Sequence, residues 1–345
     1  MVKNFRRLKF RPLKNSNHPL PQTVPTGRMK KHRAPRNRTI DLSAEEVKLY
    51  RKNLASSDDN FENCRNRIIC GDAFEILDKL PEKTFDLLFA DPPYNLTKNF
   101  GENSFRQTSD EDYEAWLDAW LSKIVRLLKP NASIYICGDW RSSGAIQRVG
   151  TKYFTTRNRI TWEREKGRGA AKNWKSASED IWFFTVSGEY VFNLESVKTR
   201  RKVLAPYTKD GAPKDWEKSE DGNFRVTSPS NLWTDLTVPF WSMPENTTHP
   251  TQKPEKLLAK IILASTDEND LILDPFAGSG TTAVVAKKLN RSFVGIERDE
   301  NYCLLTEKRL ALAENDKKIQ GFTDGVFWER NSSAKINKSK QNKQD

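Results

Sequence analysis

The 345-residue sequence predicts an α/β fold around a mostly parallel sheet. Two observations predict this class. Short apolar segments alternate with helix-like segments in two separate blocks of the chain. In each block, one apolar segment also runs directly into a loop rich in Pro or Gly. Open α/β sheets bind their ligands outside the carboxyl ends of their strands, so these two loops mark the expected functional edge.

The first block covers residues 61–162. Its predicted strands are Arg67–Cys70, Phe85–Ala90 and Ser133–Cys137. Ala73–Leu80 is helix-like. Glu111–Leu128 is a strong helix prediction because its apolar residues recur at positions i, i+3, i+4 and i+7. Pro130 follows the predicted end of that helix, as expected for a residue that cannot continue it.

The second block covers residues 249–316 and alternates in the same way. The predicted helices are Glu255–Ala264, Thr281–Leu289 and Tyr302–Leu312, with Asp299 as the cap of the last one, and the predicted strands are Leu271–Leu273 and Ser292–Ile296. Together, the two blocks predict one Rossmann-like sheet that the intervening residues interrupt.

Three further segments complete the chain. Residues 1–60 lack apolar periodicity and contain several prolines, so they are predicted to be largely disordered, with a short helix after the capping box Ser43-Ala44-Glu45-Glu46. Residues 163–248 are rich in Trp, Lys and Arg and show only short strand-like runs such as Ile181–Val186, which predicts an inserted region. Residues 317–345 form a C-terminal segment with a basic tail.

The charge is concentrated at one end of the chain. Residues 1–38 contain twelve of the 58 Lys and Arg residues and none of the 46 acidic ones, so the rest has no net charge. Such an arm attracts polyanions without reading their sequence. The four cysteines and three histidines show no metal-ligand spacing, so neither zinc nor another metal is expected. Without a membrane-length apolar run, we expect no membrane partner and a cytoplasmic location.

The first loop motif follows the predicted strand Leu271–Leu273. It reads Asp274-Pro275-Phe276-Ala277-Gly278-Ser279-Gly280-Thr281, and glycines in such a turn allow backbone to approach a ligand closely. The next predicted strand ends at Glu297, where a carboxylate can bind ribose hydroxyls. A purely structural turn is the alternative. The turn is shorter than GxGxxG and lacks GK[ST], so a nucleoside cofactor is favoured over NAD or ATP.

The second motif, Asp91-Pro92-Pro93-Tyr94, follows the predicted strand Phe85–Ala90. The alternative is a rigid turn with an incidental Asp. The chemical interpretation is that the Asp91 carboxylate and the Pro92 carbonyl accept both N–H bonds of an exocyclic amino group and so direct its lone pair, while Tyr94 stacks on a flipped-out base. Methylation at cytosine C5 would need a cysteine nucleophile, and no cysteine lies in a comparable position.

Together, the two motifs resemble the amino-methyltransferases of bacterial restriction–modification and epigenetic systems. The order of DPPY, a long insertion and then FxGxG is similar to the β class of these DNA methyltransferases. The segment His249-Pro250-Thr251-Gln252-Lys253-Pro254 matches the family's HPTQKP segment. The resemblance covers residues 64–313. It implies a seven-stranded Rossmann-like sheet that binds S-adenosyl-L-methionine, and double-stranded DNA as the partner.

The resemblance also implies residue roles. Asp91, Pro92, Pro93 and Tyr94 match the catalytic loop. The positions that match the cofactor site are Asp72 and Ala73, near the adenine; Thr251 and Lys253, near the carboxylate; Asp274, Phe276, Ala277, Gly278, Gly280 and Thr281, in the Gly-rich loop; and Glu297, at the ribose. His249 is interpreted as a packed or capping histidine rather than a base.

Several alternatives stay open at this point. Asp at position 91 favours N6 of adenine, whereas enzymes for N4 of cytosine more often carry Ser there. An RNA or protein amino-methyltransferase and a non-catalytic DNA-binding module are further alternatives. The insertion 163–248 corresponds to the target-recognition region, where the candidate DNA contacts are Arg164, Lys166, Arg168, Lys172, Trp174, Lys175, Arg200, Arg201 and Lys202. A separate cognate restriction endonuclease, a homodimer and association with the nucleoid through DNA are left open.

Overall fold

The computed structural model describes residues 34–330, with gaps at 101–102, 169–170, 204–206, 210–211 and 220–221. The α-helices in these ranges are α1 (Ala44–Arg51), α2 (Phe61–Cys64), α3 (Ala73–Ile76), α4 (Asp110–Val125), α5 (Ser143–Gly150), α6 (Glu255–Ser265), α7 (Thr281–Lys288) and α8 (Glu300–Asn315). Short 3-10 helices cover Leu77–Lys79 and Leu194–Val197.

The strands in the same ranges are β1 (Arg67–Cys70), β2 (Phe85–Ala90), β3 (Lys98–Phe100), β4 (Asn103–Phe105), β5 (Leu128–Gly138), β6 (Thr155–Arg168), β7 (Ser176–Thr185), β8 (Thr199–Lys202), β9 (Thr208–Lys209), β10 (Ala212–Pro213), β11 (Glu217–Ser219), β12 (Gly222–Thr227), β13 (Leu232–Trp233), β14 (Leu271–Asp274), β15 (Ser292–Glu297), β16 (Phe322–Thr323) and β17 (Val326–Trp328).

The main sheet has the strand order β1-β15-β14-β2-β5-β7-β6-β13. The first five strands run parallel, β7 is antiparallel to both β5 and β6, and β13 is parallel to β6. The predicted α/β class and mostly parallel sheet are therefore confirmed. The predicted count of seven strands is one short of the eight in the described residues, because the two-residue β13 adds an edge strand.

The strand order explains why two distant motifs meet. β14 pairs with β2 in parallel, with Leu273 opposite Leu88, so the loops after these strands leave the same edge side by side. The strand order reverses between β14 and β2, and ligands of such sheets usually bind at the carboxyl ends of the strands at this point. β1 lies next to β15 at the far side, so Asp72, which follows β1, joins the second block rather than the first.

Two apolar clusters cover the faces of the sheet. Of the predicted apolar stripe, α4 buries Tyr113, Trp116, Leu117, Trp120, Leu121 and Ile124 against one face, whereas Val125 is exposed and Leu128 lies in β5. Its Ser109 cap accepts the N–H of Asp112. The predicted end of this helix was too late: α4 ends at Val125, and β5 already begins at Leu128 and passes through Pro130. α6, α7 and α8 supply residues to the other cluster.

The expectation of disorder over 1–60 is wrong for residues 34–60. The predicted capping box at Ser43 is present and begins α1. α1 is joined to α8 by Arg51–Glu300 and Lys308–Glu46 ion pairs, and the N–H of Ile40 donates to the carbonyl of Asn246. Residues 1–33, which carry most of the basic arm, and residues 331–345 lie outside the described residues.

The predicted insertion 163–248 was also drawn too wide. Its first part completes β6 and forms β7, which pairs with β5 inside the main sheet. A separate five-stranded sheet, β11-β12-β8-β17-β16, combines later insertion residues with the C-terminal segment. Asp235, whose side chain is 10% exposed, joins this region to α6 through ion pairs with Lys256 and Lys260. Among the described helices, none is long and apolar enough to cross a bilayer.

Candidate active site

A cavity of about 560 Å³ opens at the edge where β2 and β14 end. Its walls include both loop motifs, the residues after β1, the HPTQKP segment and the strands β6 and β7. Fourteen of the fifteen predicted site residues line the cavity. The remaining one, Gly280, lies within the Gly-rich loop that forms part of the cavity wall. The volume is in the range of pockets that bind nucleoside-sized ligands.

The Gly-rich loop has the backbone that only glycine adopts without strain. Gly278 and Gly280 have φ angles of +54° and +73°. A Cβ on Gly280 would lie 2.0 Å from Cγ2 of Thr306, so α8 packs directly against this turn. A Cβ on Gly278 would lie 3.0 Å from Nε2 of His249. The loop is therefore compact because α8 and the HPTQKP segment pack directly against its two glycines.

Carboxylates fix this loop through the backbone. Glu297, at the end of β15, accepts the N–H groups of Gly278 and Asp299, each at 2.8 Å. Asp274 accepts the N–H of Phe276 at 3.0 Å and the hydroxyl of Thr282 at 2.5 Å. Burial raises the pKa of both carboxyls to about 7. Asp274 thus holds the start of the loop and Glu297 holds Gly278, and both carboxylates line the cavity.

The remaining predicted cofactor residues are anchored in similar ways. Asp72 caps α3 by accepting the N–H of Phe74, and Ala73 begins that helix. Thr281 donates to the carbonyl of Lys253 at 3.1 Å, which ties the Gly-rich loop to the HPTQKP segment. Phe276 packs edge-on against the ring of Trp120, with centroids 5.1 Å apart.

His249 has the packing role that the sequence suggested. Its ring lies 4.5 Å from that of Tyr302, and its Nδ1 accepts the N–H of Thr251. Burial, with Lys253 nearby, lowers the pKa of His249 to about 3. The imidazole is neutral near pH 7 and its accepting nitrogen is already in use, so it has no role as a general base.

The DPPY loop is rigid. Pro92 is buried, and the carbonyl of Pro93 accepts the hydroxyl of Tyr113 at 3.0 Å. The next residue, Asn95, is fixed by a hydrogen bond with Ser142 and by three hydrogen bonds with Thr108. The loop therefore presents the side chains of Asp91 and Tyr94 from a fixed backbone at the end of β2.

The side chains of this loop enter a shared network of charges. Tyr94 Oη lies 2.9 Å from Asp91 Oδ1 and 3.0 Å from Glu179 Oε2. Lys253 Nζ donates to Asp91 Oδ2 at 2.5 Å and lies 3.4 Å from Glu179 Oε2. Arg164 donates to Glu179 Oε1 at 2.6 Å. Two carboxylates thus share one tyrosine hydroxyl, and two cationic side chains pair with those carboxylates.

The pKa values of the two acids, Asp91 and Glu179, are shifted in opposite directions. Burial, and then the Glu179 charge, raise the pKa of Asp91 although Lys253 opposes them. Burial acts on Glu179 in the same sense, but Lys253 and Arg164 outweigh it and lower the pKa of Glu179. Burial disfavours the charge of Lys253, yet Asp91 and Glu179 outweigh it and raise the lysine pKa. Lys253 is therefore an ammonium ion near pH 7.

The network gives two sequence candidates a partner within the protein. Lys253, which the resemblance matched to the segment near the cofactor's carboxylate, lines the cavity and pairs with Asp91. Arg164 was a candidate DNA contact but points inward to Glu179. Glu179 was missed altogether, since it lay in residues interpreted as an insertion; its position at the start of the apolar run Ile181–Val186 was the available signal.

The other basic candidates divide by exposure. Arg200 lies over the rings of Phe224 and Trp328, at 5.1 and 5.0 Å, and so packs within the small sheet. Trp174 is 93% exposed and lines the cavity, as does Trp140, which is 58% exposed. Lys172, Lys175 and Lys202 are exposed, whereas the side chains of Lys166 and Arg168 lie outside the described ones.

The fold and the site together define an α/β protein with a cavity that joins a Gly-rich loop to the polar DPPY loop. Residues 85–308 match a family model described as DNA methylase. The chain is 33% identical to the type II methyltransferase M.HpaI of Haemophilus parainfluenzae, over 74% of this chain and 76% of that one. It is 35% identical to the DNA adenine methyltransferase YhdJ of Escherichia coli strain K12, over 74% and 86% of the two chains.

The chain belongs to the DNA methylase family, and it is a DNA methyltransferase. The methyl donor of this family is S-adenosylmethionine. A solved structure of the PvuII DNA methyltransferase, described as cytosine-N4-specific, shares the fold: its TM-score is 0.51 at 19% identity, over 72% of this chain and 91% of that one. The predicted enzyme class, methyl donor and DNA substrate are thereby confirmed.

Proposed function

We propose that the protein methylates N6 of an adenine that is flipped out of double-stranded DNA, with Asp91-Pro92-Pro93-Tyr94 as the catalytic loop. The observation that carries this proposal is the position of Asp91, on a rigid loop beside the Gly-rich loop in one cavity. The name of the 35% identical relative, a DNA adenine methyltransferase, supports adenine as the base.

S-adenosylmethionine fits the Gly-rich side of the cavity. The left-handed turn at Gly278 and Gly280 brings backbone to the cavity wall without side chains. We assign the ribose hydroxyls to Glu297, the adenine end to Asp72 and Ala73, and the methionine end to Phe276, Ala277 and Thr251. Asp274 and Thr281 line the same side of the cavity and hold the loop through hydrogen bonds, and Gly280 lies within the loop. When bound there, the cofactor supplies an electrophilic methyl group.

On the opposite side, Asp91 and Pro92 orient the target. The Asp91 carboxylate and the Pro92 carbonyl accept the two N–H bonds of the amino group, which directs the nitrogen lone pair toward the methyl group. Tyr94 and Pro93 line the space for the flipped base. Once the nitrogen carries the methyl group it must lose a proton, and Asp91, whose pKa is raised, is placed to receive it.

The test is transfer of labelled methyl groups from S-adenosylmethionine to DNA, RNA or protein, followed by chemical identification of the modified nucleoside. We expect N6-methyladenine in duplex DNA. If the product is N4-methylcytosine, the target base is cytosine rather than adenine. Label in RNA or protein alone would contradict the proposal. Sequencing of DNA from expressing cells, with detection of modified bases, identifies the target site in the same experiment.

We further propose that the enzyme protects DNA beside a separate cognate restriction endonuclease and associates with the nucleoid through DNA. The type II methyltransferase name of the 33% identical relative supports the first of these. A homodimer is the remaining proposal. Sedimentation of the purified protein with and without duplex DNA tests it, and a monomer under both conditions would contradict it.

A further inference from the structure

Glu179 occupies a position that the catalytic loop alone does not explain. It lies on β7, directly across the network from Asp91, and it is only 6% exposed. Arg164 holds one of its oxygens at 2.6 Å, which fixes the carboxylate. The other oxygen faces Tyr94 and Lys253, the same two side chains that contact Asp91.

Two donors are therefore shared between two carboxylates. Tyr94 has a single O–H, which lies within reach of Asp91 at 2.9 Å and of Glu179 at 3.0 Å, but it donates to only one of them at a time. The Lys253 ammonium needs to move by about 0.5 Å to shorten its 3.4 Å separation from Glu179 to a charge-assisted hydrogen bond. Both donors can change acceptor with little motion.

In the structure, each oxygen of Asp91 lies within hydrogen-bond distance of a protein donor, Tyr94 for Oδ1 and Lys253 for Oδ2. A target amino group must compete with these donors for the carboxylate. We propose that Glu179 is a positioning residue for methyl transfer: it takes over the Tyr94 hydroxyl and the Lys253 ammonium as the amino group binds Asp91. This inference rests on the proposed function, since it concerns the same amino-group site.

The charge balance explains why a second acid is needed. Lys253 and Arg164 supply two positive charges, and Asp91 and Glu179 supply two negative ones. Without the Glu179 charge, Lys253 pairs with Asp91 alone and competes more strongly with the amino group. The other titratable groups that face Asp91 are Tyr94, Tyr113, Cys137 and Asp274. At neutral pH, the tyrosines and Cys137 are uncharged, since burial raises their pKa values.

The decisive variant is Glu179→Gln, which keeps the shape and removes the charge. We expect kcat to fall by about 10- to 100-fold, a range typical of misplaced reacting groups, while the affinities for DNA and S-adenosylmethionine stay within about threefold. Because Glu179 is one of the groups that raise the pKa of Asp91, the acid limb of the kcat–pH profile should move to lower pH. Lys253→Gln should move the same limb to higher pH, because Lys253 opposes that rise.

The opposite shifts separate positioning from a structural role, which would lower activity without moving the limb. Glu163→Gln, an exposed change on neighbouring β6, is the matched control and should leave the profile unchanged. Unchanged kcat in Glu179→Gln, or a lower kcat with an unmoved limb, overturns the inference. If this variant does not fold, Glu179→Asp serves instead: it keeps the charge on a shorter side chain and should lower kcat with the limb in place. A wild-type enzyme that methylates no DNA amino group overturns the proposed function itself.

Discussion

The two sides of the cavity are built differently. On the Gly-rich side, the acidic groups of Asp274 and Glu297 bind backbone N–H groups, and Gly278 and Gly280 leave no side chain to rearrange. On the DPPY side, Asp91 shares its donors with a second acid, and exposed tryptophans line the opening. The difference indicates a side that is fixed before its ligand binds and a side whose hydrogen bonds are exchanged when the target base enters.

The largest expected effect on methyl transfer comes from a substitution on the DPPY side. Asp91→Ala removes an acceptor for the amino group, so transfer should fall by about 10²- to 10³-fold, the order seen when one transition-state hydrogen-bonding group is removed. Cofactor affinity should change little, because the Gly-rich loop has its own supports. Single-turnover methylation and titration calorimetry with S-adenosylmethionine check the two halves of this prediction. Retained transfer would contradict the role of Asp91, and a loss of cofactor binding would contradict the separation of the two sides.

On the Gly-rich side, a substitution is expected to lower the stability of the fold. Gly280→Ala forces a Cβ against Thr306 at positive φ, which should cost roughly 2–4 kcal/mol of unfolding free energy and weaken cofactor binding. Gly325→Ala is the matched control, since its φ of +74° is the same but no atom lies within 4 Å of the added Cβ. There, roughly 1 kcal/mol is expected. Denaturant titration measures both, and equal losses of stability would show that the packing against Thr306 is unimportant.

A smaller effect is expected at the opening. Trp174 is almost fully exposed on the loop between β6 and β7, so we infer that it stacks where the flipped base leaves the duplex. Trp174→Ala should slow methylation of paired DNA by about tenfold, the worth of one base–aromatic contact. A mismatched target base already lacks part of its pairing and should restore the rate. Trp241→Ala, at a half-exposed tryptophan outside the cavity lining, is the control; no rescue by a mismatch would contradict base displacement as the role of Trp174.

The sequence predicted the fixed side well because its signals are local. The Gly-rich turn, the carboxylate at Glu297 and the strands and helices around them follow from short-range patterns that the structure confirms. The DPPY loop was found for the same reason. Its position beside the Gly-rich loop was expected from the α/β class and is explained by the pairing of β14 with β2.

The DPPY side was harder to predict because its residues come from strands that are distant in the sequence. Glu179 and Arg164 each stand between polar neighbours on β7 and β6, so this part of the two strands carries no apolar pattern and suggested an insertion. Lys253 lies 162 residues from Asp91 along the chain, and no local pattern pairs them. Likewise, residues 34–60 carry little apolar periodicity because α1 is held to α8 by ion pairs rather than by a buried stripe.

The smallest effect on catalysis is expected from the N-terminal arm, which we propose binds DNA phosphates. Arg38 and Ile40 donate backbone hydrogen bonds to Trp241 and Asn246, so a deletion should stop at residue 33 and leave these hydrogen bonds intact. Removing residues 2–33 should leave kcat and the target sequence unchanged. The plot of log affinity against log salt should become less steep, by about 0.9 for each phosphate that the arm neutralises. Binding to duplex DNA at several salt concentrations measures this slope. An unaltered slope would show that the arm binds no phosphates. A changed target site would show that the arm contacts bases, so that residues outside the DPPY side of the cavity also select the target.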